Sequence, residues 1–184
     1  QETLDLISLN IENKNRMHHV VVNAAKLVYM YNDKSLYESV VNCDIINADG
    51  QAVVWASKIL NRPLKERVAG IDLMYNLINL SLEKNYKIYF LGSDQNNLNK
   101  SIENIKCNYS ENIISGYHHG YYSSSDESNI VDLINKSNSH ILFVGISSPK
   151  KEIFLEKYKN SLNVPFIMGV GGSFDILSGK VSRS

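Results

Sequence analysis

The stretch ILFVGISSPKKEIFLEKYKNSLNVPFIMGVGGSFDIL, residues 141–177, decides the fold. Ile141 to Val144 is an apolar run stopped by Gly145, and Phe166 to Val170 is a second run stopped by Gly171-Gly172. The spacing between them predicts a helix from Pro149 to Leu162, and a short helix follows the glycines to Leu177. Ser148 suits the N-cap of the longer helix and Pro149 its first position. Compact apolar runs without strict polar alternation, joined by a helix, are the signature of parallel strands covered on both faces.

The same grammar extends towards the N-terminus. Lys87 to Leu91 reads as a strand stopped by Gly92-Ser93-Asp94, and a polar helix follows from Gln95 to Lys106. Ile113-Ile114 is a short strand, and Glu127 to Lys136 a helix. Gly70-Ile71-Asp72 opens a helix with Leu73, Leu77, Leu80 and Leu82 on the expected buried side. Val20-Val21-Val22 is a β-branched strand. The helical residues 24–32 are expected to turn Ala25, Leu27 and Val28 to the core, and Ser35 to cap a helix ending at Val41. Ile45-Ile46 forms a strand ending at Asp49, followed by a helix from Ala52 to Leu60 that buries Trp55. Leu4 to Ile11 reads as a strand closed by the Asn-rich residues 10–15. The alternation predicts a single α/β domain, Rossmann-like, with a mainly parallel sheet and helices on both faces. Its strand-to-helix turns gather at one sheet edge, where such folds bind ligands.

At 184 residues the chain can bury a sizeable core, and 43% hydrophobic with 21% charged residues is an ordinary globular balance. Lys+Arg and Asp+Glu are equal at 19 each, which argues against nucleic-acid binding by bulk charge. The two cysteines, Cys43 and Cys107, have no zinc or CxxC spacing, so a reducing cytoplasm is the simplest setting. No apolar run approaches a membrane span, and the first residues show no signal-peptide core.

Several turns carry chemistry. Gly169-Val170-Gly171-Gly172-Ser173-Phe174-Asp175 follows a strand and opens a helix, as a phosphate cradle or a tight structural turn would. It lacks the third glycine of the dinucleotide fingerprint and the Gly-Lys-Ser/Thr of a P-loop, which also disfavours a dehydrogenase or methyltransferase. Lys150 and Lys151 start a helix where the dipole prefers acids, so they are either solvated or face an anion. Asp49, in Ala48-Asp49-Gly50, is a general base or a turn residue. Lys65 and Arg67 follow, and an arginine there can hold a diphosphate through charge-assisted bonds. Tyr121 and Tyr122 offer a ring to a nucleobase or simply pack. The pairs His18-His19 and His118-His119 are adjacent, so their side chains diverge and no metal site is expected.

Taken together, these segments resemble the WecG/TagA/CpsF glycosyltransferases (glycosyltransferase family 26). The resemblance rests on residues 47–56 (NADGQAVVWA), residues 63–74 (PLKERVAGIDLM), Phe90-Leu91-Gly92 and His119-Gly120-Tyr121-Tyr122. Residues 144–152 (VGISSPKKE) look like the family's G-x-x-S/A-P-K-Q-E segment, and residues 169–179 like its GVGGSFDxLxG motif. The match runs in order over roughly residues 20–183.

The resemblance implies inverting, metal-independent and cofactor-free transfer of N-acetylmannosamine, or its uronic acid, from a UDP-sugar. The acceptor it implies is a polyprenyl-diphosphate-linked sugar at the cytoplasmic membrane face, in teichoic acid or other surface polysaccharide synthesis. By motif position Asp49 matches the general base, and Arg67 the arginine at the leaving diphosphate. Asn23, Gly92, Tyr121, Lys151, Gly171, Gly172 and Asp175 match substrate-binding positions. Homo-oligomers are expected, as is a basic segment beyond the match at Val181 to Ser184 that helps close the site and reach the membrane. Two departures stand out: Val21 occupies a position usually Thr, and Lys151 replaces a Gln. A third is expected, residues 1–184 lacking the family's C-terminal segment, and the three motivate the alternative, a non-catalytic UDP-sugar-binding homologue.

Overall fold

A computed structural model describes residues 2–64 and 67–182. It begins with α1 (Glu2–Glu12), followed by β1 (Met17–Val22), α2 (Ala24–Asn32), α3 (Lys34–Val41), β2 (Ile45–Ala48) and α4 (Gln51–Ile59). Then come α5 (Gly70–Lys84), β3 (Ile88–Gly92), α6 (Gln95–Asn108), a 3-10 turn (Glu111–Ile113) and β4 (Ile114–His118). The chain continues through α7 (Glu127–Lys136), β5 (Ile141–Gly145), α8 (Lys150–Tyr158), β6 (Phe166–Gly169) and α9 (Ser173–Leu177). The six strands form one sheet in the order β2-β1-β6-β5-β3-β4, and every pairing is parallel. This is the Rossmann-like α/β architecture expected.

Alternate residues of each central strand feed opposite cores. Met17, Ile88, Phe90, Ile141, Phe143, Phe166 and Met168 pack with α1, α5, α6 and α9. Tyr89, Leu91, Leu142, Val144 and Ile167 pack with α7 and α8, while Val20 and Val22 pack with α3. Both faces being apolar, the strands show no alternation in sequence.

Several local expectations are corrected. Leu4 to Ile11 lies in a helix: Ile7 and Ile11, four residues apart, are buried against the core, while Leu6 and Leu9 face water. The α2 helix buries no residue fully, and Leu27 and Val28 are exposed. Trp55 is 60% exposed, because α4 turns only Val54 fully inward. Leu82 is likewise on the outer side of α5. Asp33, not Ser35, caps α3, its carboxylate accepting the Leu36 N–H at 3.1 Å. Ser148 donates instead to the Glu152 carboxylate at 2.8 Å, and α8 starts at Lys150.

Candidate active site

The chain leaves β1 towards β2 on one side and β3 towards β4 on the other, then returns through β5 and β6 in the middle. That reversal opens a crevice outside the carboxyl ends of the strands, where open α/β sheets hold ligands. Here it is a cleft of 860 Å³. Asn23, Asp49, Tyr121, Lys151, Gly171, Gly172 and Asp175 all line it. These residues come from strand ends far apart in sequence.

Asp49 directly follows β2, its N–H bonded to the Val22 carbonyl of β1 at 2.9 Å. The connector to α5 returns to the same point, since the Val68 N–H donates to the Ala48 carbonyl at 3.0 Å. This brings Arg67 beside the cleft, its Nε 3.7 Å from the Asp49 carboxylate, with both side chains open to solvent. The Lys65 named with it lies outside the described residues, as does Arg183.

Gly92 has a packing role instead of a place on the cleft wall. Its φ is +129°, and a Cβ there would lie 2.5 Å from the Gly145 carbonyl carbon. Gly171 is different: its φ is +52°, and a Cβ would meet nothing within 4 Å, so bare backbone faces the cleft. Asp175, in the first turn of α9, accepts a short bond from the Asn97 amide and lies 3.4 Å from Lys180. The tyrosine alternatives separate as well. Tyr122 packs edge-on to Phe154 under the Lys150 ammonium, whereas Tyr121 is exposed along the cleft.

The two lysines at the start of α8 also diverge. Lys150 donates to the Tyr122 carbonyl at 2.9 Å and lies 4.0 Å above the Tyr122 ring, fixing that loop. Lys151 is only 5% exposed, its stem lying over Gly169. Its ammonium is 3.2 Å from Glu152, and Lys26 from α2 reaches the same carboxylate oxygen at 3.1 Å. Two cations therefore share one buried carboxylate. Burial alone would raise the Glu152 carboxyl, but Lys151, Lys26 and the Ser148 hydroxyl outweigh it and hold it at about 2. Burial, reinforced by Lys26, pushes the Lys151 ammonium down.

Behind this cluster the His18 ring lies 3.6 Å from the Cys43 thiol. Burial, aided by Asp44, raises that thiol to about 12, so it carries no nucleophilic thiolate. His19 is fully buried and bonds Asn47 at 2.8 Å. Burial also lowers both histidines to about 4, so they are neutral at pH 7. Among the described residues, no three His, Cys, Asp or Glu side chains converge as a metal site would require.

Sequence reasoning passed over Lys26, Asn97 and Lys180. Lys26 had a signal: it is a cation in the first turn of α2, three residues past the cap Asn23, against the helix dipole. Asn97 and Lys180 had none, because only the fold brings them to Asp175.

The model of the Glycosyl transferase WecG/TagA/CpsF family matches residues 1–184. The chain belongs to this family. Among curated relatives, an N-acetylglucosaminyldiphosphoundecaprenol N-acetyl-beta-D-mannosaminyltransferase of Bacillus spizizenii is 34% identical over 149 residues, covering 80% of this chain and 57% of that protein. The protein of the same name from Staphylococcus aureus (strain NCTC 8325 / PS 47) is 29% identical over 173 residues, covering 94% of this chain and 67% of that protein. The chain thus spans about three-fifths to two-thirds of these relatives. Its cleft lies within the part that carries the family likeness.

Proposed function

We propose that this member of the WecG/TagA/CpsF family transfers an N-acetylmannosamine-type sugar from a UDP-sugar to a polyprenyl-diphosphate-linked sugar, with inversion and without a metal cofactor. The relatives named above act, by their names, on N-acetylglucosaminyl-diphospho-undecaprenol. The observation that carries the reading is the meeting of Asp49 with the Gly171-Gly172 turn and the Lys26–Lys151 pair on one cleft.

In this mechanism Asp49 takes the proton of the acceptor hydroxyl. The resulting oxygen attacks the anomeric carbon from the side opposite UDP and so inverts it. Arg67, the amides of the Gly171-Gly172 turn and Lys151 stabilise the departing diphosphate. Tyr121 and Asp175 serve the nucleotide end, and Asn23 borders the sugar. The reaction takes place at the cytoplasmic membrane face. Among the described residues no helix is long and apolar enough to cross a membrane.

Release of UDP from UDP-N-acetylmannosamine, with a polyprenyl-diphosphate-linked N-acetylglucosamine acceptor, tests the reading. Asp49→Asn is expected to lower turnover by about 10²–10⁴-fold, the usual loss for a general base, while UDP still binds. Undiminished turnover would remove Asp49 from the role. UDP binding without turnover by the unaltered protein would favour the non-catalytic homologue. A chelator is expected to leave the rate unchanged.

A further inference from the structure

The helix that leaves Asp49 is built the wrong way round for a water-facing surface. In α4, Ala52, Trp55, Ala56 and Ile59 are all exposed, at spacings that place them in one stripe. Only Val54 is fully buried. Trp55 is 60%, Ile59 80% and Leu60 72% exposed, and Leu64 extends the apolar run beyond the helix. On a solvated helix this stripe would be polar. Isolated apolar residues on a surface are ordinary, but a contiguous stripe marks a contact.

The charges along the helix and its connector are mostly positive. Lys58 and Arg62 are exposed beside the stripe, and Arg67 follows in the connector. From Gly50 to Ile71 the sequence holds four basic residues, Lys58, Arg62, Lys65 and Arg67, against one acid, Glu66. A two-fold contact between copies through this face would bring like charges together. An anionic headgroup layer would instead neutralise them while Trp55, Ile59 and Leu60 enter the acyl boundary. Trp at the interface, aliphatic residues below it and flanking Lys/Arg is the composition of a surface-lying membrane helix.

We infer that α4 and the turn to Leu64 form a membrane-contact surface for anionic phospholipid, seated beside the base Asp49. The inference rests on the proposed function in one respect, that a polyprenol-linked acceptor reaches Asp49 from a bilayer. It places the bilayer next to the carboxylate that takes the acceptor's proton, so the sugar needs to rise only a short way from the headgroups.

Trp55 is the chain's single tryptophan, so its emission reports this surface alone. With vesicles of phosphatidylglycerol and phosphatidylcholine, the emission is expected to shift to the blue and to be quenched by bromine-labelled acyl chains. Vesicles of phosphatidylcholine alone should bind at least tenfold more weakly. Ile59→Asp with Leu60→Asp should weaken vesicle binding by more than tenfold with UDP affinity and melting temperature unchanged, since both side chains face solvent. Lys58→Glu with Arg62→Glu should abolish the preference for the anionic lipid.

Emission unmoved by anionic vesicles overturns the inference. So does a blue shift that follows protein concentration without lipid, with a dimer in sedimentation, because the stripe then belongs to a second copy. Turnover on a soluble, short-chain acceptor separates the two readings. Vesicle binding with no turnover counts against the transferase alone, and turnover without any response to vesicles counts against the surface alone.

Discussion

Removing the Glu152 charge by Glu152→Gln should destabilise the protein severely. Glu152 and Lys151 are each 5% exposed, and Lys26 and Lys151 hold the same carboxylate oxygen at 3.1 and 3.2 Å. The carboxyl is drawn from 4.5 down to about 2. At 1.36 kcal/mol per unit this is about 3 kcal/mol favouring the charged folded form. Breaking a buried pair by removing one partner typically costs about 3–5 kcal/mol, so the two routes agree. For a chain of this size, with roughly 2–4 °C per kcal/mol, the melting temperature should fall by about 6–12 °C at pH 7. A folded carboxyl held below its unfolded value contributes fully above pH 4.5, and that contribution fades as the pH falls towards 2. Thermal unfolding followed by circular dichroism measures the loss. Adding Lys151→Met to the first variant should recover at least half of it, because the apolar stem still covers Gly169 while the unpaired charge is gone. A melting point within 1 °C of the parent for Glu152→Gln, or no recovery in the double variant, would refute the shared-carboxylate argument.

Arg67→Ala should lower UDP release more than tenfold yet leave the melting temperature nearly unchanged, because its exposed 3.7 Å pair with Asp49 contributes little to stability. His19 stays neutral in the fold down to about pH 4 but takes a proton near pH 6.5 when unfolded, so stability drops as pH falls through that window. Between pH 7 and pH 5 this amounts to about 2 kcal/mol, and urea titrations of His19→Leu should lose that part of the pH slope. Gly145→Ala places a Cβ 2.7 Å from the Phe174 ring, whereas Gly169→Ala meets only the flexible Lys151 stem at 2.9 Å. The first should therefore cost about 1–3 kcal/mol and weaken UDP binding through α9, and calorimetry should find the second milder on both counts.

The second half of the chain was the easier to read because its strands are short, wholly apolar and stopped by Gly92, Gly145 and the Gly169–Gly172 run. Parallel strands covered on both sides leave that pattern, and the punctuation marks the sheet edge that carries the site. The N-terminal helix was missed because Ile7, Leu9 and Ile11 alternate like a strand while Ile7 and Ile11 also keep helical spacing. Only packing decides between the two: Ile7 and Ile11 are buried and Leu9 is not. The outward faces of α2 and α4 were misread for a related reason. An apolar stripe has the same sequence pattern whether it meets the core or another surface, so Val28 and Trp55 looked like core residues. Asp49, Lys151 and the glycine turn could be singled out from local chemistry. The Lys26–Glu152 pair joins residues 126 apart in sequence, and no local signal states which strands become neighbours.

The pairing of Arg67 with Asp49 gives the proposed mechanism an order. A carboxylate oxygen faced by a guanidinium is less open to an incoming acceptor hydroxyl than one left free, since part of its lone-pair space is taken. The same arginine is the group assigned to the leaving diphosphate, and a bidentate phosphate contact is stronger than a solvent-exposed pair at 3.7 Å. A donor diphosphate seated by the Gly171-Gly172 turn and Lys151 would therefore draw Arg67 off Asp49. The base would be released only once the leaving group is held. No large rearrangement is needed, because Arg67 and Asp49 are both half-open to solvent while the cations at Lys151 and Lys26 are fixed by Glu152. The contrast between a rigid, buried charge cluster on one wall and a loose, exposed pair on the rim is what would let one site both anchor a diphosphate and uncover a base.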